Sequence, residues 1–223
     1  MMSDQENALI LEPQNGPADA CMIILHGLGA SCHDFEPVAP ALAQACPDAA
    51  IRFILPQAPN LPVTINGGMV MPAWYDILAM NLDREVDTAQ LCASAASIQA
   101  LIRQQVEAGI DSRRIILAGF SQGGAVAYEA GLSLDLPLGG LLALSTYWAT
   151  QDTTTLAEAN RSLKIEIQHG QMDPVVPEAL AIQARDALIA KGYDINYRHY
   201  PMPHSVCPEQ VQHIGQWLKT RLA

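Results

Sequence analysis

Continuous apolar runs alternate along this chain with segments in which apolar residues recur at helical spacing. The runs predict buried strands at 20–26, 51–55, 115–118 and 138–145, and further strands are predicted at 164–169 and 194–200. Helices are predicted at 37–45, 88–108, 178–191 and 208–222, and another begins at Gln122. This alternation favours an α/β fold with a doubly wound, mostly parallel sheet and helices on both faces. One domain over 1–223 is expected, with 1–19 as a peripheral N-terminal segment.

The segment 56–86 interrupts this alternation, because it has no clean period and contains four prolines and two adjacent glycines. A loop of this length inside a compact domain is usually functional. Its residues Met69, Met71 and Trp74 predict a substrate-binding groove for an acyl chain, since methionine and aromatic side chains form adaptable apolar surfaces. The alternative is that these residues only pack the loop onto the sheet. No separate lid domain is expected in a chain of this length.

Composition narrows the class of protein. Half of the 223 residues are apolar and 16% are charged, which indicates a globular fold. The net charge of −11 argues against nucleic acid or an anionic membrane surface as a partner, although solubility explains the charge as well. The N-terminus is polar and no apolar run is long enough to span a bilayer, so we expect a cytoplasmic protein without integral membrane association. A homodimer is left open.

The residues Gly119-Phe120-Ser121-Gln122-Gly123 fit the pattern G-x-S-x-G between an apolar strand and a helix rich in small residues. In this context the pattern indicates a nucleophile elbow. The glycines are needed because the chain passes close to itself on both sides of a strained serine. The helix directs its first N–H groups at Ser121, where negative charge develops during acyl transfer. The sequence therefore predicts a catalytic serine, with a plain turn as the alternative.

A serine nucleophile needs a base and an acid, and the order Ser, Asp, His along the chain is that of α/β-hydrolases. His204 follows a predicted strand and precedes the last helix, whereas His199 lies within a strand and His213 on a helix face turned to solvent. His204 is therefore the predicted base, with a surface loop histidine as the alternative. Asp173 follows the strand that ends at His169 and is the predicted acid. Its alternative role is a turn aspartate before a proline.

The oxyanion of such a reaction needs two converging N–H donors. Gln122 follows the nucleophile and supplies one, and Leu28 in the loop after the first apolar run supplies the other. His26, beside that loop, is interpreted as structural. No metal site is expected, because the histidines do not have the spacing of a ligand set and the five cysteines contain no C-x-x-C pair. No cofactor is expected either.

Five motifs carry a resemblance to a known family: His26-Gly27-Leu28-Gly29, Leu55-Pro56-Gln57-Ala58-Pro59, Ala73-Trp74-Tyr75-Asp76, the serine elbow and Pro201-Met202-Pro203-His204. From about residue 20 to its C-terminus the chain resembles the phospholipase/carboxylesterase family of α/β-hydrolases, which includes acyl-protein thioesterases, and small bacterial carboxylesterases most of all. The resemblance implies hydrolysis of carboxylic esters with short to medium acyl chains. It also implies the triad and oxyanion residues assigned above. The chain departs from the family at Pro203-His204-Ser205, where relatives usually carry Gly-His-Glu.

The expected function is therefore that of a serine carboxylesterase acting on a small-molecule or lipid-like ester. An acyl-protein thioesterase or a lysophospholipase would use the same triad and is the near alternative. A binding protein that has the hydrolase fold but no activity is an alternative of another class. Such a protein has no need of all three of Ser121, Asp173 and His204, which argues against it.

Overall fold

The computed structural model describes residues 8–80 and 84–223. Strands within these residues are, in chain order, β1 (Ala8–Leu11), β2 (Ala20–Leu25), β3 (Ile51–Pro56), β4 (Asn60–Val63), β5 (Met69–Pro72), β6 (Ile77–Ala79), β7 (Glu85–Val86), β8 (Ile115–Phe120), β9 (Gly140–Leu144), β10 (Lys164–Gly170) and β11 (Asp194–Tyr200). The α-helices of the described residues are α1 (Ala39–Ala45), α2 (Thr88–Glu107), α3 (Gln122–Ser133), α4 (Glu178–Ala190) and α5 (Pro208–Leu222). Among them none is both long enough and apolar enough to cross a lipid bilayer.

Seven of these strands form one sheet in the order β1-β3-β2-β8-β9-β10-β11. All neighbouring pairs are parallel except β1 with β3, which are antiparallel. The predicted doubly wound, mostly parallel sheet is therefore confirmed. The sequence did not predict β1, which lies within the 1–19 segment and forms one edge of the sheet. Its burial is only partial, so it lacks the continuous apolar run that marks the central strands.

Helices cover both faces of the sheet, because successive side chains of the central strands point to opposite sides. On β2, Cys21, Ile23 and Leu25 lie on the face of the sheet that is covered by buried residues of α2, α3 and α4. The alternate positions Met22 and Ile24 pack with α1 and α5. The strands therefore read as continuous apolar runs rather than alternating ones, as is typical of a sheet buried on both faces.

The segment 56–86 is not the irregular loop that its sequence predicted. It contains two antiparallel pairs, β4 with β5 and β6 with β7. Prolines interrupt the alternating pattern by which a strand is recognised in a sequence. Pro62 and Pro72 nevertheless lie in strands, because a two-stranded ribbon has edges at which a missing N–H is tolerated. Gly67 has φ of 67°, the left-handed conformation that the turn between β4 and β5 requires.

Candidate active site

Ser121 lies at the turn between the carboxyl end of β8 and the first residue of α3. Its φ and ψ of 53° and −121° are a strained combination for a residue with a side chain. The surrounding backbone fixes this conformation: Ser121 N–H donates to the carbonyl of Leu144 at 2.9 Å, and its own carbonyl accepts from Thr146 Oγ1 at 2.6 Å. The result is a serine hydroxyl held at the carboxyl edge of the sheet, above the positive end of a helix.

The two glycines of the elbow are required by contact with backbone atoms. A Cβ on Gly119 would meet the carbonyl of Gly123, and a Cβ on Gly123 would meet the carbonyls of Leu25 and His26 at the end of β2. All of these approaches are shorter than real Cβ contacts. The sharp turn at Ser121 is therefore possible only because neither glycine carries a side chain.

The predicted base and acid lie within hydrogen-bonding distance of each other. His204 Nδ1 is 2.6 Å from Asp173 Oδ2, so the protonated Nδ1 donates to the carboxylate. This tautomer leaves Nε2 of a neutral His204 as the proton acceptor. The ring also packs on Phe120, with ring centroids 4.7 Å apart. Both contacts fix the plane of the imidazole, which is what a base in a catalytic triad requires.

Backbone hydrogen bonds join the loop of Asp173 to the loop of His204. The N–H of Gln171 donates to the carbonyl of Tyr200 at 2.8 Å, and that of Met172 donates to the carbonyl of Met202 at 3.2 Å. These bonds continue the parallel pairing of β10 with β11 past the ends of the strands. Register in the sheet therefore determines where the acid and the base meet.

The Asp173 carboxylate is buried but well supplied with donors. Its Oδ1 accepts from the N–H groups of Val175 at 2.9 Å and Val176 at 2.8 Å. Burial by itself would raise the pKa of Asp173, but the hydrogen bonds from His204, Val176 and Val175 outweigh it and hold that pKa below its ordinary value. The acid is therefore ionised at neutral pH and can stabilise an imidazolium.

His169 is a supporting residue that the sequence did not single out. It is fully buried at the end of β10, its Nε2 donates to the carbonyl of Val176 at 2.8 Å, and the same nitrogen is 3.6 Å from Asp173 Oδ2. Burial lowers the pKa of His169, so the ring is neutral beside the acid. In the sequence, this supporting role is indicated only by the position of His169 immediately before the loop of Asp173.

The predicted oxyanion donors Leu28 and Gln122 line the same pocket as Ser121. Within the described part of the chain, neither backbone N–H donates to a protein acceptor. The Gln122 side chain is occupied elsewhere: its Oε1 accepts from Trp74 N–H at 2.8 Å and its Nε2 donates to the Tyr75 carbonyl at 2.6 Å. The backbone of Gln122 is thus fixed while its N–H stays available to an oxyanion.

His26 holds the loop of Leu28 in place. Its Nε2 accepts from the N–H of Ala58 at 3.1 Å, so Nδ1 carries the proton and donates to the carbonyl of Gly27 at 2.7 Å. Burial lowers the pKa of His26, which keeps the ring neutral as this arrangement requires. The His26 carbonyl accepts from Trp74 Nε1 at 2.8 Å. The expected structural role of His26 agrees with these contacts.

Ser121 and His204 share a pocket of about 320 Å³. Its apolar lining includes residues from loops and strand ends: Leu28, Ile65, Ile77, Met80, Phe120 and Val175. Among the described residues, the Ser121 hydroxyl and the His204 ring form no hydrogen bond with each other. Catalytic pairs often close that distance only when substrate binds. The volume lies at the low end of the range for small-molecule sites, which is roughly 300–1,000 Å³.

The structure does not bring Met69, Met71 and Trp74 into the lining of this pocket. Met69 is 62% exposed on the β4–β5 ribbon. Met71, on β5, is half-buried and its sulfur accepts from Asn66 Nδ2 at 3.2 Å. Trp74 is buried, bonded to the carbonyl of His26, and lines a different groove beside α2. The ribbon instead supports the oxyanion loop, since the carbonyl of Pro72 accepts from Gly29 N–H at 2.8 Å.

Comparison with known proteins finds matches to this chain by family, by sequence and by structure. The model of the phospholipase/carboxylesterase family matches residues 6–222. Acyl-protein thioesterase 1 of Neurospora crassa is 36% identical, with 96% of this chain and 91% of that protein covered. Among solved structures, SOBER1 of Arabidopsis thaliana matches with a TM-score of 0.85 at 26% identity, covering 92% of this chain and 99% of that chain. Acyl-protein thioesterase 2 of Zea mays gives 0.84 at 25% identity, covering 97% and 99%.

Proposed function

This chain belongs to the phospholipase/carboxylesterase family, and on that premise we propose that it hydrolyses carboxylic esters of short to medium acyl chains through an acyl-enzyme on Ser121. The observation that carries the proposal is the meeting of three elements at one pocket: the strained serine, the hydrogen-bonded pair of His204 with Asp173, and two unused backbone N–H groups. Each element has a defined role in acyl transfer.

In the first half of the reaction, Ser121 Oγ attacks the carbonyl carbon of the ester and its proton passes to His204 Nε2. The N–H groups of Leu28 and Gln122 stabilise the oxyanion of the tetrahedral intermediate. Asp173 stabilises the imidazolium, which then gives its proton to the leaving alcohol. The ester bond breaks and the acyl group stays on Ser121.

In the second half, His204 Nε2 takes a proton from water as the water attacks the acyl-enzyme. The intermediate collapses, the proton returns to Ser121 Oγ, and the carboxylic acid leaves. The apolar lining of the pocket supports binding of the acyl chain, because each buried CH₂ contributes about 0.8 kcal/mol. The small volume of about 320 Å³ supports short to medium chains.

A second candidate is hydrolysis of a thioester on an acylated protein, with the same residues and a thiol as the leaving group. It is favoured by the names of the 36% identical relatives, which are acyl-protein thioesterases. An alcohol and a thiol leave by the same route, so the triad alone does not separate the two substrates.

The test is a rate panel with p-nitrophenyl esters, an acyl thioester and a lysophospholipid, run on the native protein, Ser121→Ala, His204→Ala and the double variant. Ser97→Ala is a matched control, because this serine is exposed on α2. We expect each single catalytic variant to lose roughly 10⁴- to 10⁶-fold in kcat and the double variant to lose little more, since the residues act as a unit. Full additivity of the two losses would contradict a shared mechanism.

A further inference from the structure

Among the described residues that line the pocket of Ser121, Arg84 is the one lysine or arginine. The residue is only 7% exposed. Arginine is almost never buried to this degree unless its charge is paired. Its backbone also has a positive φ of 41°, an uncommon conformation for a residue with a long side chain. A buried cation beside the reaction centre is therefore a feature that the proposed mechanism leaves unused.

The partners of this guanidinium are neutral groups. Its Nη2 donates to the carbonyl of Val175, its Nη1 lies 3.3 Å from the sulfur of Met80, and its Cζ lies 5.0 Å from the ring centroid of Tyr147. No carboxylate of the described residues lies within 4 Å of it, since no ion pair of Arg84 occurs in that part of the chain. A guanidinium has five N–H donors, and these contacts use three when a hydrogen bond to the Tyr147 hydroxyl is included. Among the described residues, no carboxylate therefore neutralises its charge, and some of its donors have no partner there.

The remaining charge on the pocket wall argues for a monoanion. Asp34 lines the same pocket, but it is exposed and its carboxylate accepts from the N–H and hydroxyl of Ser31. Arg84 can neutralise one negative charge on a ligand, and the nearby Asp34 would repel a second. A monoanion therefore fits this pocket better than a phosphate dianion. A carboxylate also matches the planar fork of a guanidinium in two parallel hydrogen bonds.

On the basis of the proposed function, we propose that Arg84 forms a carboxylate-binding subsite, and that the preferred substrates are esters or thioesters carrying a free carboxylate. The half-ester of a small dicarboxylic acid has this chemistry. Its scissile carbonyl lies at Ser121 while its far carboxylate contacts Arg84. Both residues line the same pocket of about 320 Å³.

The competing role for Arg84 is that of a brace. Its guanidinium bonds the carbonyl of Val175, and Val175 N–H donates to Asp173 at 2.9 Å. Loss of a brace would disturb the acid and slow every substrate equally. Loss of a carboxylate subsite slows only substrates that carry the carboxylate. The ratio of kcat/KM between two such substrates therefore separates the two roles.

The experiment uses the full chain with p-nitrophenyl half-esters of dicarboxylic acids from succinate to suberate. Each is paired with the neutral p-nitrophenyl ester of the same chain length, and spontaneous hydrolysis is subtracted. The variants are Arg84→Gln, Arg84→Lys and Asp34→Asn. Arg103→Gln is the control for loss of one positive charge, because Arg103 is paired with Asp135 at the surface. Thermal unfolding of each variant verifies the fold.

We expect the native protein to prefer one half-ester over its neutral partner, with a preference that weakens as salt is added. Arg84→Gln should lower kcat/KM for that half-ester by about 10- to 100-fold, the value of a charged hydrogen bond, and affect the neutral ester much less. Arg84→Lys should keep part of the preference, Asp34→Asn should raise it, and Arg103→Gln should leave it unchanged.

Two results would overturn the subsite while leaving the proposed function intact. One is hydrolysis of the neutral esters by the native protein with no preference for any half-ester. The other is a loss of kcat/KM in Arg84→Gln that is equal for the half-ester and the neutral ester, with neither rate restored in Arg84→Lys. That result would mean that Arg84 only supports the structure of the site. Failure of the proposed function is recognised separately, because then no substrate in either series is turned over in a manner that depends on Ser121.

Discussion

A methyl group placed on Gly123 would lie 2.5 Å from the carbonyl oxygen of His26, because the first turn of α3 presses directly on the end of β2. This contact links the serine turn to the oxyanion loop, since His26 is followed by Gly27 and Leu28. The spacing between nucleophile and oxyanion donors therefore depends on a residue that has no side chain.

We predict that Gly123→Ala lowers the free energy of unfolding by about 1–3 kcal/mol or more, because the clash involves rigid backbone. Gly131→Ala is the matched control. Gly131 lies in the same helix, its Cβ would meet Leu141 at an ordinary distance of 3.5 Å, and alanine favours the helix by up to about 1 kcal/mol. Urea unfolding of both variants measures the difference. Equal stability of the two would mean that the elbow tolerates a side chain.

A second prediction concerns Asp173→Asn. An amide can still accept the Val175 and Val176 N–H groups, but it does not stabilise an imidazolium or hold the His204 tautomer. We expect a fold close to the native one and a loss in kcat on the order of 10⁴. Steady-state kinetics with circular dichroism as the check on folding measure it. Near-native rates in this variant would move the acid role to another residue.

The stability of the native protein should also depend on Asp173 in acid. The pKa of this carboxyl is lower in the folded state than its ordinary value of 3.8. Its contribution to stability is therefore complete above pH 3.8 and is lost as the pH falls through the lower folded value. The stability that the native protein has over Asp173→Asn should accordingly fall as the pH drops below 3.8. A difference that stays constant down to pH 2 would contradict the hydrogen-bonded carboxylate.

A fourth prediction concerns the acyl chain. Met80 lines the pocket of Ser121, whereas Met69 lies exposed on the β4–β5 ribbon outside it. The gain in kcat/KM from acetate to hexanoate esters should correspond to about 0.8 kcal/mol per CH₂ until the pocket is full. Met80→Ala should flatten that gain and Met69→Ala should leave it unchanged. The reverse result would favour the acyl groove that the sequence predicts at Met69, Met71 and Trp74.

Much of this molecule could be predicted from its sequence. The α/β-hydrolase fold, the family and the class of hydrolase are confirmed, because each rests on strong local signals: apolar runs for a sheet buried on both faces, and glycines around Ser121 that only a tight elbow requires. The structure also places Asp173 and His204 within hydrogen-bonding distance, although their roles await the experiments above. A single domain over 1–223, a cytoplasmic location and a homodimer remain predictions from the sequence.

The apolar lining of the pocket beside Ser121 could not be predicted in full, because it depends on tertiary contacts. Met69 and Met71 looked like lining residues by type, yet pairing of β4 with β5 leaves one exposed and turns the other toward Asn66. Arg84 gave no signal, since a single arginine in a polar segment is ordinarily a surface residue. Its burial against Tyr147 is visible only once the segments are folded together.

The central claim is that Ser121 is the residue that carries the acyl group. The direct measurement is reaction with a fluorophosphonate, followed by mass spectrometry of the peptides, in the native protein, in Ser121→Ala and in His204→Ala. The account predicts one modified residue, Ser121, no adduct in Ser121→Ala, and strongly slowed labelling in His204→Ala because the base is missing. An adduct on a different residue, or labelling of Ser121→Ala at the native rate, would contradict it.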